Sequence, residues 1–168
     1  MLTDSIAALP SSMNSLVPEV LSLDSRTINR GDVFVAIKGV DTDGRQYIND
    51  ALTQGAVAVV AEAEGLTHQD PRVIPVAGLK SHLGELARRF YADPSADLRV
   101  IAVTGTNGKT SISDYTGQLL RLLGKSAGTI GTLGARTQSS DTAEAKNTTP
   151  DVLTLNKYLA TWRNEGVK

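Results

Sequence analysis

The segment Thr104-Gly105-Thr106-Asn107-Gly108-Lys109-Thr110-Ser111 gathers the residue types best suited to chemistry in this chain. Its glycines allow backbone conformations that turn successive N–H groups into one concavity, where a phosphate can sit. A helix beginning near Lys109 would add the positive end of its dipole. The Lys109 ammonium could then reach β- and γ-phosphates as a mobile point charge. The Thr110 hydroxyl could ligate Mg²⁺, with Ser111 the weaker candidate for the same shell. The strict pattern, G-x-x-x-x-G-K-[ST], would need a glycine where Val103 stands, so the match is to a shortened G-x-x-G-K-[TS] form. The structural alternative is a glycine-rich turn between strand and helix with an exposed lysine.

The elements around this segment are those a phosphate loop requires. Leu98 to Val103 (LRVIAV) reads as a buried strand running into the loop, and Ile112, Tyr115, Thr116, Leu119, Leu122 and Leu123 follow at helical spacing until Gly124. Further on, 126–134 reads as a short strand and turn, and 135–147 as a polar loop. Thr149-Pro150-Asp151 reads as a helix start, with Thr149 as N-cap and Pro150 at the first position. Val152, Leu155, Leu159 and Trp162 make its apolar face.

Upstream, residues 1–20 are mixed and Ser/Pro-rich, a weak helix or loop. Val33 to Ile37, Ala56 to Ala61 and Val73 to Val76 are strand candidates. Tyr47 to Leu52 recurs at helical spacing before Gly55, and Leu79, Leu83, Leu86, Ala87 and Phe90 share one helical face. The stretch ADPSAD (92–97) breaks the pattern and suggests a boundary between domains at 1–95 and 96–168. Strands alternating with helices imply an α/β fold with a mainly parallel sheet. The second unit is incomplete on this reading, and the chain stops at Glu165-Gly166-Val167-Lys168, where a strand would be expected to begin. A fragment of something longer is therefore expected.

Composition narrows the partners. Lys and Arg number 17 against 18 Asp and Glu, a net charge of -1, which gives no bulk reason to bind nucleic acid or an anionic membrane. There are no cysteines, hence no disulfide or thiolate chemistry, which fits a cytoplasmic protein. The N-terminus lacks a basic n-region and makes a poor signal peptide. No apolar run approaches the roughly 20 residues of a membrane span.

VTGTNGKTS resembles the ATP loop of the Mur ligases. Leu23-Asp24-Ser25-Arg26, Gly31 to Ala36 and Asp43-Gly44-Arg45 are similar to the first domain of those members that act on UDP-N-acetylmuramoyl-L-alanyl-D-glutamate, and Asn147-Thr148-Thr149-Pro150 to their substrate loop. The resemblance runs from about residue 20 to 168. It implies a small α/β UDP-sugar-binding domain followed by the first part of a P-loop central domain. It implies ATP-dependent addition of the third amino acid in peptidoglycan precursor synthesis, through an acyl phosphate, in a cytoplasmic monomer. The amino acid would be meso-diaminopimelate, with L-lysine as the alternative.

By the same resemblance, Gly105, Thr106, Asn107, Gly108, Lys109, Thr110 and Ser111 hold ATP, with Thr110 on Mg²⁺ and Lys109 and Thr110 as the catalytic pair. Leu23, Ser25, Val40, Asp41 and Thr42 would contact the UDP part of the substrate. Asn147, Thr148 and Thr149 would contact the muramoyl dipeptide. Many members carry His-Gln where this chain has Val40-Asp41, which leaves backbone contacts there but not those side chains. Other ligands of the family's metals and its amino-acid-selecting domain lie in later sequence, so the fragment alone is expected to be inactive.

Plainer readings stand beside these. Ser25 and Arg26 could stabilise a turn, Asn147 to Thr149 could cap a helix, and Asp43-Gly44-Arg45 could be a turn and helix start. His68 and His82 have no ligand-spaced partner and read as surface residues; Tyr158 and Trp162 read as packing residues, and Glu62 and Glu64 as solvated. A different P-loop NTPase or kinase would need a Walker-B-type aspartate after an apolar strand, and none is evident after residue 111. A folylpolyglutamate synthetase would share the loop without the UDP domain. A non-catalytic UDP-sugar or nucleotide-binding module is the remaining class.

Overall fold

The computed structural model describes residues 19–39, 42–137, 141–142 and 150–167. The chain divides into two compact units, the first ending at Ala87 and the second beginning at Arg88.

The first unit is built on a parallel sheet of four strands in the order β1-β2-β3-β4: β1 (Leu21–Ser22), β2 (Val33–Ala36), β3 (Ala58–Glu62) and β4 (Val73–Val76). Phe34 pairs with Val59 and Val59 with Val73, while Ala36 pairs with Ala61 and Ala61 with Pro75. All four residues of β2 are buried, as expected of a parallel strand covered on both faces. Phe34, Ala36, Val59, Ala61 and Val73 form one of those faces and pack with Ile48, Ala51 and Leu52 of helix α1 (Ile48–Gln54). Burying Phe34 alone is worth about 2–3 kcal/mol. Helix α1 ends at Gly55, whose φ of 110° is left-handed and whose missing Cβ would lie 3.1 Å from the Arg30 Cα. Both facts require glycine there. Strand β1 leaves no signal in the sequence, because two residues carry no readable alternation. Strand β3 starts at Ala58 rather than at Ala56.

Helix α2 (Leu79–Phe90) buries Leu79, Leu86 and Ala87, the face its periodicity predicts. The predicted break follows: Ala92 and Asp93 take φ of 54° and 48°, and Pro94–Ala96 makes one 3₁₀ turn.

In the second unit, 98–103 is not a strand, against expectation. Its residues are β-prone, but a strand needs a ladder partner, and no described strand pairs with it. Val100 and Ile101 are 59% and 60% exposed. Helix α3 (Lys109–Leu122) starts where the sequence places it and closes at Gly124, whose N–H reaches the Arg121 carbonyl. Strands β5 (Thr129–Gly131), β6 (Gly134–Arg136) and β7 (Asp141–Thr142) form an antiparallel sheet. Two of them lie in the stretch expected to be loop; strands of two or three residues leave no periodicity to read. Helix α4 (Val152–Asn164) is capped by Asp151, not Thr149: the Asp151 carboxylate accepts from Leu153 N, Thr154 N and the Thr154 hydroxyl. A carboxylate satisfies two orphan amides and complements the helix dipole, which outweighs the Thr-Pro signal.

Candidate functional site

The start of α3 differs from that of α4. Gly108 occupies the N-cap position with φ 79°, a conformation that costs glycine nothing, and no side chain caps the helix. The first turn therefore presents amides with no side-chain acceptor, at the positive end of a fourteen-residue helix. Such an arrangement is chemically suited to an anion. Gly105 to Lys109 and Ser111 are exposed, so a ligand has access. The Lys109 ammonium bends back over the loop and donates to the carbonyls of Gly105 at 2.5 Å and Thr106 at 3.3 Å. The lysine is thus held beside the amides, within the segment and not splayed from it. All seven residues predicted to hold ATP lie together here.

The Thr110 hydroxyl donates to the Thr132 hydroxyl at 3.3 Å, a neighbour that sequence reading missed. Thr132 sits 22 positions downstream in the β5–β6 turn, and nothing in a Gly-Thr-Leu-Gly turn signals that contact. Mg²⁺ fits this donor set in a limited sense. Thr110 offers one hydroxyl, and no group of three or more His, Cys, Asp or Glu is placed to hold a metal among the described residues. Mg²⁺ commonly takes one or two protein ligands and fills its octahedron with water and phosphate oxygens.

In the first unit, three of the other predicted contacts, Leu23, Ser25 and Thr42, follow the carboxyl ends of parallel strands, the edge where α/β sheets bind ligands. Leu23 and Ser25 follow β1, Leu23 half-buried and Ser25 buried. Asp24 between them accepts from the Arg26 backbone N–H at 3.0 Å and from its guanidinium at 2.8 and 2.7 Å. Arg26 therefore does brace a turn. Thr42 follows β2 and is exposed; its carbonyl accepts from Gly39 N at 2.9 Å. Val40, Asp41, Asn147, Thr148 and Thr149 lie outside the described residues.

Asp43-Gly44-Arg45 is a turn and helix start, as its plainer reading has it. Asp43 accepts from Arg45 N at 3.0 Å and, through both oxygens, from the guanidinium, while Arg45 also donates to the Glu64 carbonyl. The Arg45 side chain, and then its backbone N–H, hold the Asp43 carboxyl at about 2. Glu62 is not simply solvated: it accepts from Gly78 N at 2.9 Å and ties the end of β3 to the start of α2. His68 bonds Asn49 and Asp70, a local structural role.

A model of the Mur ligase family, catalytic domain, matches residues 19–91, and a model of the Mur ligase middle domain matches 103–168. The chain is 43% identical over 171 residues to UDP-N-acetylmuramoyl-L-alanyl-D-glutamate--2,6-diaminopimelate ligase of Pseudomonas aeruginosa, covering 95% of this chain and 35% of that protein. It is 42% identical over 165 residues to the protein of the same name from Haemophilus influenzae, covering 94% and 34%. A solved structure of a UDP-N-acetylmuramoyl-L-alanyl-D-glutamate--2,6-diaminopimelate ligase superposes with a TM-score of 0.66 at 30% identity, over 89% of this chain and 30% of that one. The MurF ligase of Thermotoga maritima in complex with ADP gives 0.54 at 32% identity, over 70% and 27%. The chain spans about a third of the length of the curated relatives it matches.

Proposed function

The chain belongs to the Mur ligase family, and from that premise we propose that it supplies the nucleotide seat and the UDP-binding end of an ATP-dependent ligase. That ligase joins 2,6-diaminopimelate to UDP-N-acetylmuramoyl-L-alanyl-D-glutamate. The names borne by its relatives support the amino acid and displace L-lysine as the reading. The observation that carries the nucleotide part is the uncapped start of α3 with the Lys109 ammonium held over the same loop. The ADP complex of a structural neighbour supports the choice of adenine nucleotide.

The residues divide the work by chemistry. Amides of the loop and first helical turn bind phosphate oxygens. Lys109 neutralises negative charge on the outer phosphates, where phosphoryl transfer to a carboxylate concentrates it. The Thr110 hydroxyl would hold a bound Mg²⁺, which would supply further neutralisation of phosphate charge. Leu23, Ser25 and Thr42 sit at the sheet edge suited to a nucleotide, and they are assigned the UDP part. Val40, Asp41, Asn147, Thr148 and Thr149 keep their substrate roles on the resemblance alone.

Titration with Mg-ATP and, separately, with the UDP-muramoyl dipeptide tests both halves. Each should bind. Lys109→Ala should weaken Mg-ATP roughly ten- to hundredfold, the range for a lost hydrogen bond to a charged group, and leave the UDP ligand untouched. Equal nucleotide binding by wild type and Lys109→Ala would refute the assignment of the seat.

A further inference from the structure

Three contacts fix how the β5–β6 hairpin lies on α3. Arg121 Nη1 reaches the Ala127 carbonyl at 3.5 Å. Four residues back along the helix, a Cβ on Gly117 would stand 2.5 Å from the Thr129 methyl. Seven residues further back, Thr110 meets Thr132. From Gly117 to Thr110 a helix travels about 10.5 Å, at 1.5 Å per residue. From Thr129 to Thr132 a strand travels about 10 Å, at 3.3 Å per residue. The two elements therefore run in opposite directions at matching pace, and the hairpin tip arrives at the first turn of the helix. Gly117 permits the close approach that makes this possible.

We infer that Thr132 is a positioning residue of the nucleotide seat: its hydroxyl oxygen accepts a hydrogen bond from the Thr110 hydroxyl and so leaves the Thr110 lone pairs aimed at a phosphate-bound divalent cation. A hydroxyl carries one proton and two lone pairs. It can ligate a cation only when its proton points elsewhere, and a free rotor spends much of its time misdirected. The Thr110-to-Thr132 bond gives the proton a fixed destination. Such outer partners orient metal ligands throughout protein chemistry. The inference rests on the nucleotide reading above and adds a residue from outside the glycine-rich segment.

Binding of a fluorescent ATP analogue, measured with Mg²⁺ and again in EDTA, tests it. Thr132→Val keeps the side-chain shape and removes the acceptor. It should weaken binding in Mg²⁺ roughly three- to tenfold, the scale of one hydrogen bond, and leave binding in EDTA unchanged. Thr132→Ser should restore the wild-type value in Mg²⁺. A Thr132→Val affinity equal to wild type in Mg²⁺ would overturn the inference alone. So would an equal loss in both conditions, or a Thr132→Ser variant as weak as Thr132→Val. A wild-type chain that binds the analogue in neither condition would overturn the nucleotide reading itself.

Discussion

At the scale of single residues, the recurring device is an aspartate two positions before an arginine. Asp24–Arg26, Asp43–Arg45 and Asp70–Arg72 each combine a backbone N–H and a guanidinium on one carboxylate. Asp43 and Arg45 are the most sheltered of these pairs, with side chains 23% and 18% exposed. The folded state holds the Asp43 carboxyl at about 2, against 3.8 for a free aspartate. A lowered folded value means that the stabilisation is fully present above the unfolded value and disappears as pH falls through the folded one. Asp43→Asn should therefore lower the melting temperature relative to wild type at pH 5. The gap should shrink as pH drops from 3.8 toward 2. A gap that stays constant across that range would show that the carboxylate charge is not what Arg45 reads.

Elements follow from local rules wherever a helix has a stop or a strand has a buried run. Gly55 and Gly124 end helices as the sequence suggests, and Val33 to Ala36 forms a wholly buried strand. The second unit depends more on close packing than on pattern. Gly128 lies against the Trp162 ring, where a Cβ would stand 2.5 Å away, and Tyr158 stacks on Trp162 at 6.2 Å between ring centres. Gly128→Ala should cost about 1–3 kcal/mol, the usual range for overpacking. Because the chain has one tryptophan, fluorescence emission reports directly on that contact. A variant with unchanged emission and stability would mean that the ring has room to move.

This distinction explains what could be read beforehand. Lys109 and its glycines were legible because a phosphate seat needs those residue types in one short stretch. Thr132 was not, because its place depends on the pace of a hairpin against a helix and not on its neighbours in sequence. Asp151 belongs to the helix start that the sequence marks, but Thr149-Pro150 offers an equally good cap signal two residues earlier. The run 98–103 is β-prone, and propensity cannot supply the hydrogen-bonding partner that a strand requires.

For the molecule as a whole, the notable surface is the outer side of α3. Ile112, Tyr115, Leu119 and Leu122 are 54%, 67%, 58% and 86% exposed, on a helix whose periodicity called for burial. Such a stripe should take up an environment-sensitive apolar dye. Leu119→Lys with Leu122→Lys should reduce that uptake while shifting stability by no more than about 0.5 kcal/mol per site, as for other exposed positions. Dye emission unaffected by the double substitution would show that the stripe is not where apolar ligands bind. The parallel sheet behaves differently, because of its margins. Among the described strands β1 is one outer strand and has two residues; β4 is the other and carries Pro75, which has no N–H to offer a newcomer. Both flanks of this sheet are thus poor templates for the addition of a further strand from another copy.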